Sequence, residues 1–171
     1  KRVIGEFQAA EGTDYQVVPV FGVSGHGYRI ASNYPGANDY VASAHEKPVE
    51  YSVGDVFLGL DLSAHLFPEF NSELERMRRA GVSIHFVVYD LIPLLHPRFA
   101  YPGIDGAFTN WMRSIGRYAD SVIAISAAVA VDVKQWLQQH EGLRLLPSIG
   151  HFHLGADIET PAELDAKPDL D

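Results

Sequence analysis

Apolar residues along the chain alternate between short uninterrupted runs and stretches in which they recur every three or four positions. An uninterrupted run marks a strand covered on both faces, and the three-to-four recurrence marks one face of a helix. "YQVVPVFGV" (15–23), β-branched and aromatic, reads as a strand running into the turn "SGHG". Further strands are expected at "DVFLGLD" (55–61), "VSIHFVVY" (82–89), "SVIAI" (121–125) and "IGHFHL" (149–154). Between them, "SELERMRRA" (72–80) predicts a solvated surface helix, with Ser72 and Glu75 in capping-box spacing and Gly81 placed to end it. "AFTNWMRSIGRYA" (107–119) puts Phe108, Trp111, Met112, Ile115 and Tyr118 at helical spacing. Ser126 opens a third helix, with Val129, Val133, Trp136 and Leu137 on one stripe and Gly142 beyond its end. Residues 33–50, polar and carrying two prolines, read as a loop.

From residue 55 onward the order is strand, helix, strand, helix, strand, helix, strand, which requires right-handed crossovers and parallel pairing. The expected fold is α/β and Rossmann-like, a mostly parallel sheet with helices on both faces, formed by residues 1–158. Residues 159–171, acidic and Pro-containing, read as a linker or tail. Sheets of this kind bind ligands at the carboxyl ends of their strands, where loops vary freely and helix amides converge. Asp61, Asp90 and Ser126 all stand at such ends. In "FVVYDLIPLLHPR" (86–98) the apolar run breaks at Tyr89 and Asp90, and Pro93 and Pro97 stiffen the loop that leaves the sheet.

Composition narrows the chemistry. Thirteen Lys and Arg against 22 Asp and Glu give a net charge of −9, so the chain repels phosphate backbones and nucleic acid is not an expected partner. With no cysteine there is no disulfide framework, thiolate zinc site or iron–sulfur cluster, which fits a reducing, cytoplasmic setting. No apolar run approaches the roughly 18 residues of a membrane span, and "KRVIGEF" is not a signal peptide. Those first residues lack an initiating Met and already place Val3, Ile4 and Phe7 on one helical face, so the chain is read as a fragment.

Each candidate residue has a functional and a structural reading. Asp90 can contact a ligand, accept backbone N–H bonds in the turn that follows it, or do both. His96 either donates to a hydroxyl or phosphate or packs on a neighbouring ring. Arg98, the cation of this loop, either meets an anionic acceptor group or makes a surface salt bridge. Ser126 lacks the flanking glycines of a nucleophile elbow and is explained by helix capping. His151 and His153 project from one face of a strand, but no acidic partner is implied, so no metal is assigned. His85 reads as a buried strand residue. "GVSGHG" has neither the spacing nor the lysine of a phosphate-binding loop.

Taken in order, "VVYDLIPLLHPRF", "FTNWMRSIGRYADSVIAISAAVAVDVKQWLQ" and "GHFHLGADI" resemble the amino-terminal domain of group 1 (family 4) glycosyltransferases, the retaining GT-B enzymes of bacterial polysaccharide synthesis. The likeness covers roughly residues 55–158. It implies two Rossmann-like domains facing a cleft, this half holding the acceptor and a carboxyl-terminal domain holding a nucleotide-sugar donor. The implied reaction is hexosyl transfer with retention to a polysaccharide or lipid-linked glycan, without cofactor or metal, in the cytoplasm or peripherally at the inner face of the membrane. Asp90 is then the catalytic candidate, and Tyr89, Asp90, His96, Arg98, Asp61 and Ser126 form the acceptor side. Many relatives have histidine where this chain has Tyr89, so a histidine-assisted role does not carry over. The family's first strand belongs before Lys1, and its donor-side acidic pair belongs to the other domain, so this portion alone is expected to be inactive. The alternatives are a non-catalytic α/β binding module and, more remotely, a metal-dependent hydrolase using His151 and His153.

Overall fold

Four of the apolar runs pair in parallel in the order in which the chain makes them. The computed structural model describes residues 2–10, 12, 14–31, 45–60, 63–139 and 146–153. A helix α1 (Arg2–Ala9) precedes an antiparallel hairpin of β1 (Val20–Val23) and β2 (Gly27–Ile30). The main sheet comprises β3 (Val56–Gly59), β4 (Ser83–Val88), β5 (Ser121–Ala124) and β6 (Ser148–His151), in that spatial order and all parallel. The crossovers carry α2 (Asn71–Ala80), the short α3 (Ile92–Leu95) with α4 (Ile104–Tyr118), and α5 (Ala127–Gln139). The parallel, helix-flanked, Rossmann-like α/β sheet is the one that the sequence predicts; the three crossover helices, expected on both faces, share one instead.

Because the strands add in one direction, right-handed crossovers carry α2, α4 and α5 to the same face of the sheet. That face is the core. Ile84, Phe86, Val88 and Val122 are fully buried there, together with Leu74 and Met77 of α2, Trp111, Met112 and Ile115 of α4, and Val133 and Leu137 of α5. Phe86 meets the Trp111 ring edge-on, with centroids 6.4 Å apart. A Cβ on Gly59 would lie 2.5 Å from the Phe86 ring, so the residue opposite this aromatic has to be glycine. The helical stripes read from the sequence, 108/111/112/115/118 and 129/133/136/137, are buried, Val129 only in part.

Several local readings are corrected. Residues 15–23 do not join the parallel sheet: only Val20–Val23 is a strand, and it pairs with Gly27–Ile30, whose mixture of glycine, arginine and apolar residues hides its strand character. Pro19, which has no N–H for a ladder, stands just before β1. Ser72 does not cap α2. The helix starts one residue earlier after Phe70, and the Ser72 hydroxyl donates to the Glu69 carbonyl at 3.3 Å. Nor is α2 simply solvated, since Leu74 and Met77 are buried and Glu73 nearly so. Gly81 ends it as expected, at φ 82°, its N–H donating to the Arg78 and Met77 carbonyls. The β6 strand stops at His151, so His153 lies beyond it. Residues 33–44, Asp61, Gly142 and 159–171 lie outside the described residues.

Candidate functional site at the carboxyl ends of the strands

The register aligns Val88, Ala124 and His151 across the sheet, and the ladder continues as Ile125 N–H donates to Val88 O (3.2 Å) and Phe152 N–H to Ala124 O (3.0 Å). Tyr89–Asp90, Ser126 and His153 therefore leave the sheet along one edge. Asp61, which follows β3 in the chain, is outside the described residues.

Beyond β4 the backbone turns sharply, and Asp90 makes the turn. Its Oδ1 accepts the Ile92 N–H at 2.9 Å, an Asx-type bond two residues along the chain. Leu91, fully buried, anchors the segment, and α3 begins at Ile92 with Pro93 in its first turn, where proline's missing N–H costs nothing. Pro97 likewise opens a 3₁₀ turn, Pro97–Phe99. The two prolines therefore start short helices where the sequence suggested only a stiff loop. His96 packs on Phe99 (centroids 6.3 Å apart), the ring-contact alternative for this residue. Arg98 lays its guanidinium over the Phe99 ring, 4.6 Å from the centroid, and pairs with no carboxylate among the described residues. Tyr89 is exposed, and so are Phe99 and Tyr101, two aromatic residues that the periodicity did not single out.

Ser126 caps α5. Its Oγ accepts the Val129 N–H at 3.2 Å, and its carbonyl accepts the Ala130 N–H at 3.0 Å. His151 and His153 stand edge to face, 5.6 Å between centroids, and no group of three or more His, Asp or Glu suited to a metal forms among the described residues. His85 is half-buried, its Nδ1 2.6 Å from Ser121 Oγ on the neighbouring strand.

A second polar concentration lies between the β1–β2 hairpin and the start of α2, around a cleft of about 330 Å³. Glu69 clamps the hairpin tip by accepting from the Ser24 hydroxyl (2.8 Å) and the Gly25 N–H. The Gly25 N–H, then the Ser24 hydroxyl, hold the Glu69 carboxyl below the usual carboxylate range. Glu73 accepts from Tyr51 Oη (2.8 Å) and pairs with Arg76 (2.6 Å). Burial, and secondarily the bond to Glu73, raises the Tyr51 phenol far above its ordinary value; burial does the same to Tyr28. These bonds tie the hairpin to the turn before α2 and the 45–60 segment to α2 itself.

No helix among the described residues is long and apolar enough to cross a membrane. No family model matches the chain, and no solved structure matches it. Three curated relatives do, each a serotype-specific mannosyltransferase WbdA from Escherichia coli, at 33% identity over 172 aligned positions. The alignments cover 99% of this chain but only 20 to 21% of the relatives' length. Over nearly its whole extent, then, the chain is homologous to about one fifth of a glycosyltransferase.

Proposed function

We propose that this chain is the acceptor-side half of a retaining GT-B glycosyltransferase of group 1, moving a hexose from a nucleotide-sugar donor to a polysaccharide or lipid-linked glycan. The observation that carries this is the similarity, over 99% of this chain, to a mannosyltransferase in a chain that folds into a four-stranded parallel sheet. On this reading the donor is held by a domain elsewhere in the longer polypeptide, and mannose is the first sugar to test. The enzyme works in the cytoplasm, at or near the inner face of the membrane.

The residues of this half bind and orient. Tyr89, Asp90, His96 and Arg98 form the wall beyond β4, and Asp61 and Ser126 are assigned to the same acceptor side. Asp90 turns the acceptor hydroxyl toward the donor carbon through the oxygen not committed to Ile92. Stabilising the oxocarbenium-like centre and the departing diphosphate falls to dipoles and cations of the donor side. The half described here supplies position, and correct positioning of a reacting pair is worth several powers of ten in rate.

The test is transfer by the complete polypeptide. Labelled nucleotide-hexoses are offered with neutral oligosaccharide or lipid-linked glycan acceptors, and the anomeric configuration of the product is read by NMR. Retention with at least one donor is expected. Inversion overturns the mechanism, and the absence of transfer from every donor overturns the enzyme reading. The second reading, a binding module, draws on the engagement of Asp90 and Ser126 in backbone bonds; saturable glycan binding without turnover is its signature.

A further inference from the structure

The segment leaving β4 exposes an unusual amount of aromatic surface. Phe99 is 70% exposed, Tyr101 87% and Tyr89 40%, all within thirteen residues of chain that begin at the proposed acceptor edge. The arrangement is not loose. Leu91 is buried beneath it, Arg98 covers the Phe99 ring, His96 abuts that ring, and backbone bonds from His96 N–H to Ile92 O (2.8 Å) and from Phe99 N–H to His96 O (2.9 Å) fix the turn.

We infer that Phe99 and Tyr101, continuing from Tyr89, form a stacking platform for an internal sugar of the acceptor glycan, one or more units back from the hydroxyl that reacts. The inference rests on the acceptor-side reading above and adds the substrate class: a neutral oligosaccharide, recognised by length. Three observations favour this occupant. Exposed rings match the apolar C–H faces of a hexose, while the Tyr101 hydroxyl and the Arg98 guanidinium are donors for its hydroxyls. Asp90 and Arg98 balance each other within the segment, and the chain carries −9 overall, so an anionic glycan or anionic bilayer is repelled whereas an uncharged one is not. The segment that carries the rings leaves the sheet at Tyr89–Asp90, so on this reading a glycan lying on them has one end toward the reacting edge. Contacts remote from the reacting atoms lend their binding energy to holding that end in place.

The test compares acceptors of one to about five sugars on the complete polypeptide, for wild type, Phe99→Ala/Tyr101→Ala, and the ring-preserving Phe99→Tyr/Tyr101→Phe. Each stacked ring contributes roughly two- to tenfold. The alanine pair is expected to raise KM about tenfold for the longer acceptors, with kcat and the monosaccharide KM unchanged and the ring-preserving pair like wild type. Equal losses on short and long acceptors, or no loss, overturn the platform. Saturation-transfer NMR of a neutral oligosaccharide on the same proteins reads binding without turnover. If the wild type transfers no sugar, the proposed function fails; the platform stands or falls on whether alanine abolishes that signal. Sedimentation with neutral phosphatidylcholine vesicles supplies the rival. Vesicle binding lost in the alanine pair, without an acceptor-length effect, assigns the patch, including exposed Ile92 and Leu95, to a lipid surface and overturns the inference.

Discussion

Asp90 has a backbone bond and a proposed acceptor role, and two substitutions separate them. Asp90→Asn keeps an oxygen for the Ile92 N–H and removes the charge; Asp90→Ala removes both. The bond is 2.9 Å long on a half-buried residue, so water replaces part of it, and its loss costs about 1 kcal/mol, the centre of the range for a net hydrogen bond. Because tenfold corresponds to about 1.4 kcal/mol, the Ile92 amide should exchange with solvent roughly fivefold faster in Asp90→Ala and at nearly the wild-type rate in Asp90→Asn. Catalysis divides differently. If the carboxylate orients the acceptor, both variants lose on the order of 100-fold in transfer rate, the cost of a small misplacement of reacting groups. Amide exchange by mass spectrometry and transfer assays on the complete polypeptide read the two effects. Wild-type transfer by Asp90→Asn refutes the acceptor role, and unchanged Ile92 exchange in Asp90→Ala refutes the turn.

Three further outcomes follow from the packing. Ile115→Ala, at a fully buried position facing the sheet, should lower stability by roughly 3 kcal/mol in denaturant titration; a loss below about 1 kcal/mol contradicts the core assignment. Ser126→Ala should cost about 1 kcal/mol through the lost cap while Ser126→Asp restores it, and retention of activity in Ser126→Asp is incompatible with a nucleophilic serine. For Glu69 the folded pKa lies below that of the unfolded chain, about 4.3, so its contribution is complete above that value and is lost as pH falls through the depressed one. The Gly25 amide shift in NMR should therefore titrate below about pH 4.3 and stop titrating in Glu69→Gln; a midpoint above that value reverses the assignment.

The four strands and three long helices from residue 55 onward were legible because each announces its environment by period alone. Ile84, Phe86 and Val88 stand in a run too apolar for any one-sided strand, and Trp111, Ile115 and Tyr118 repeat at helical spacing. Period fails where the partner is remote. Gly27–Ile30 is a strand only because Val20–Val23 lies against it, and the α2 start shifted because Phe70 is held in the core, a preference stronger than a serine cap. At the candidate site, the position of Asp90 was readable from the break in its strand, but its bond to Ile92 depends on backbone angles that no spacing records. Phe99 and Tyr101 passed unnoticed for the opposite reason. An aromatic residue ordinarily signals core, and only the structure shows these two left in water.

The strand order has a further consequence, for synthesis. Each strand of the sheet pairs with the one made before it, and no later segment among the described residues has to insert between two earlier strands. As the chain leaves the ribosome, β4 finds β3 already made, β5 finds β4, and β6 finds β5, each completed crossover laying its helix on the growing core. Folding can thus advance at the pace of translation, with a single strand edge awaiting its neighbour at each stage and little apolar surface left uncovered for other nascent chains to meet.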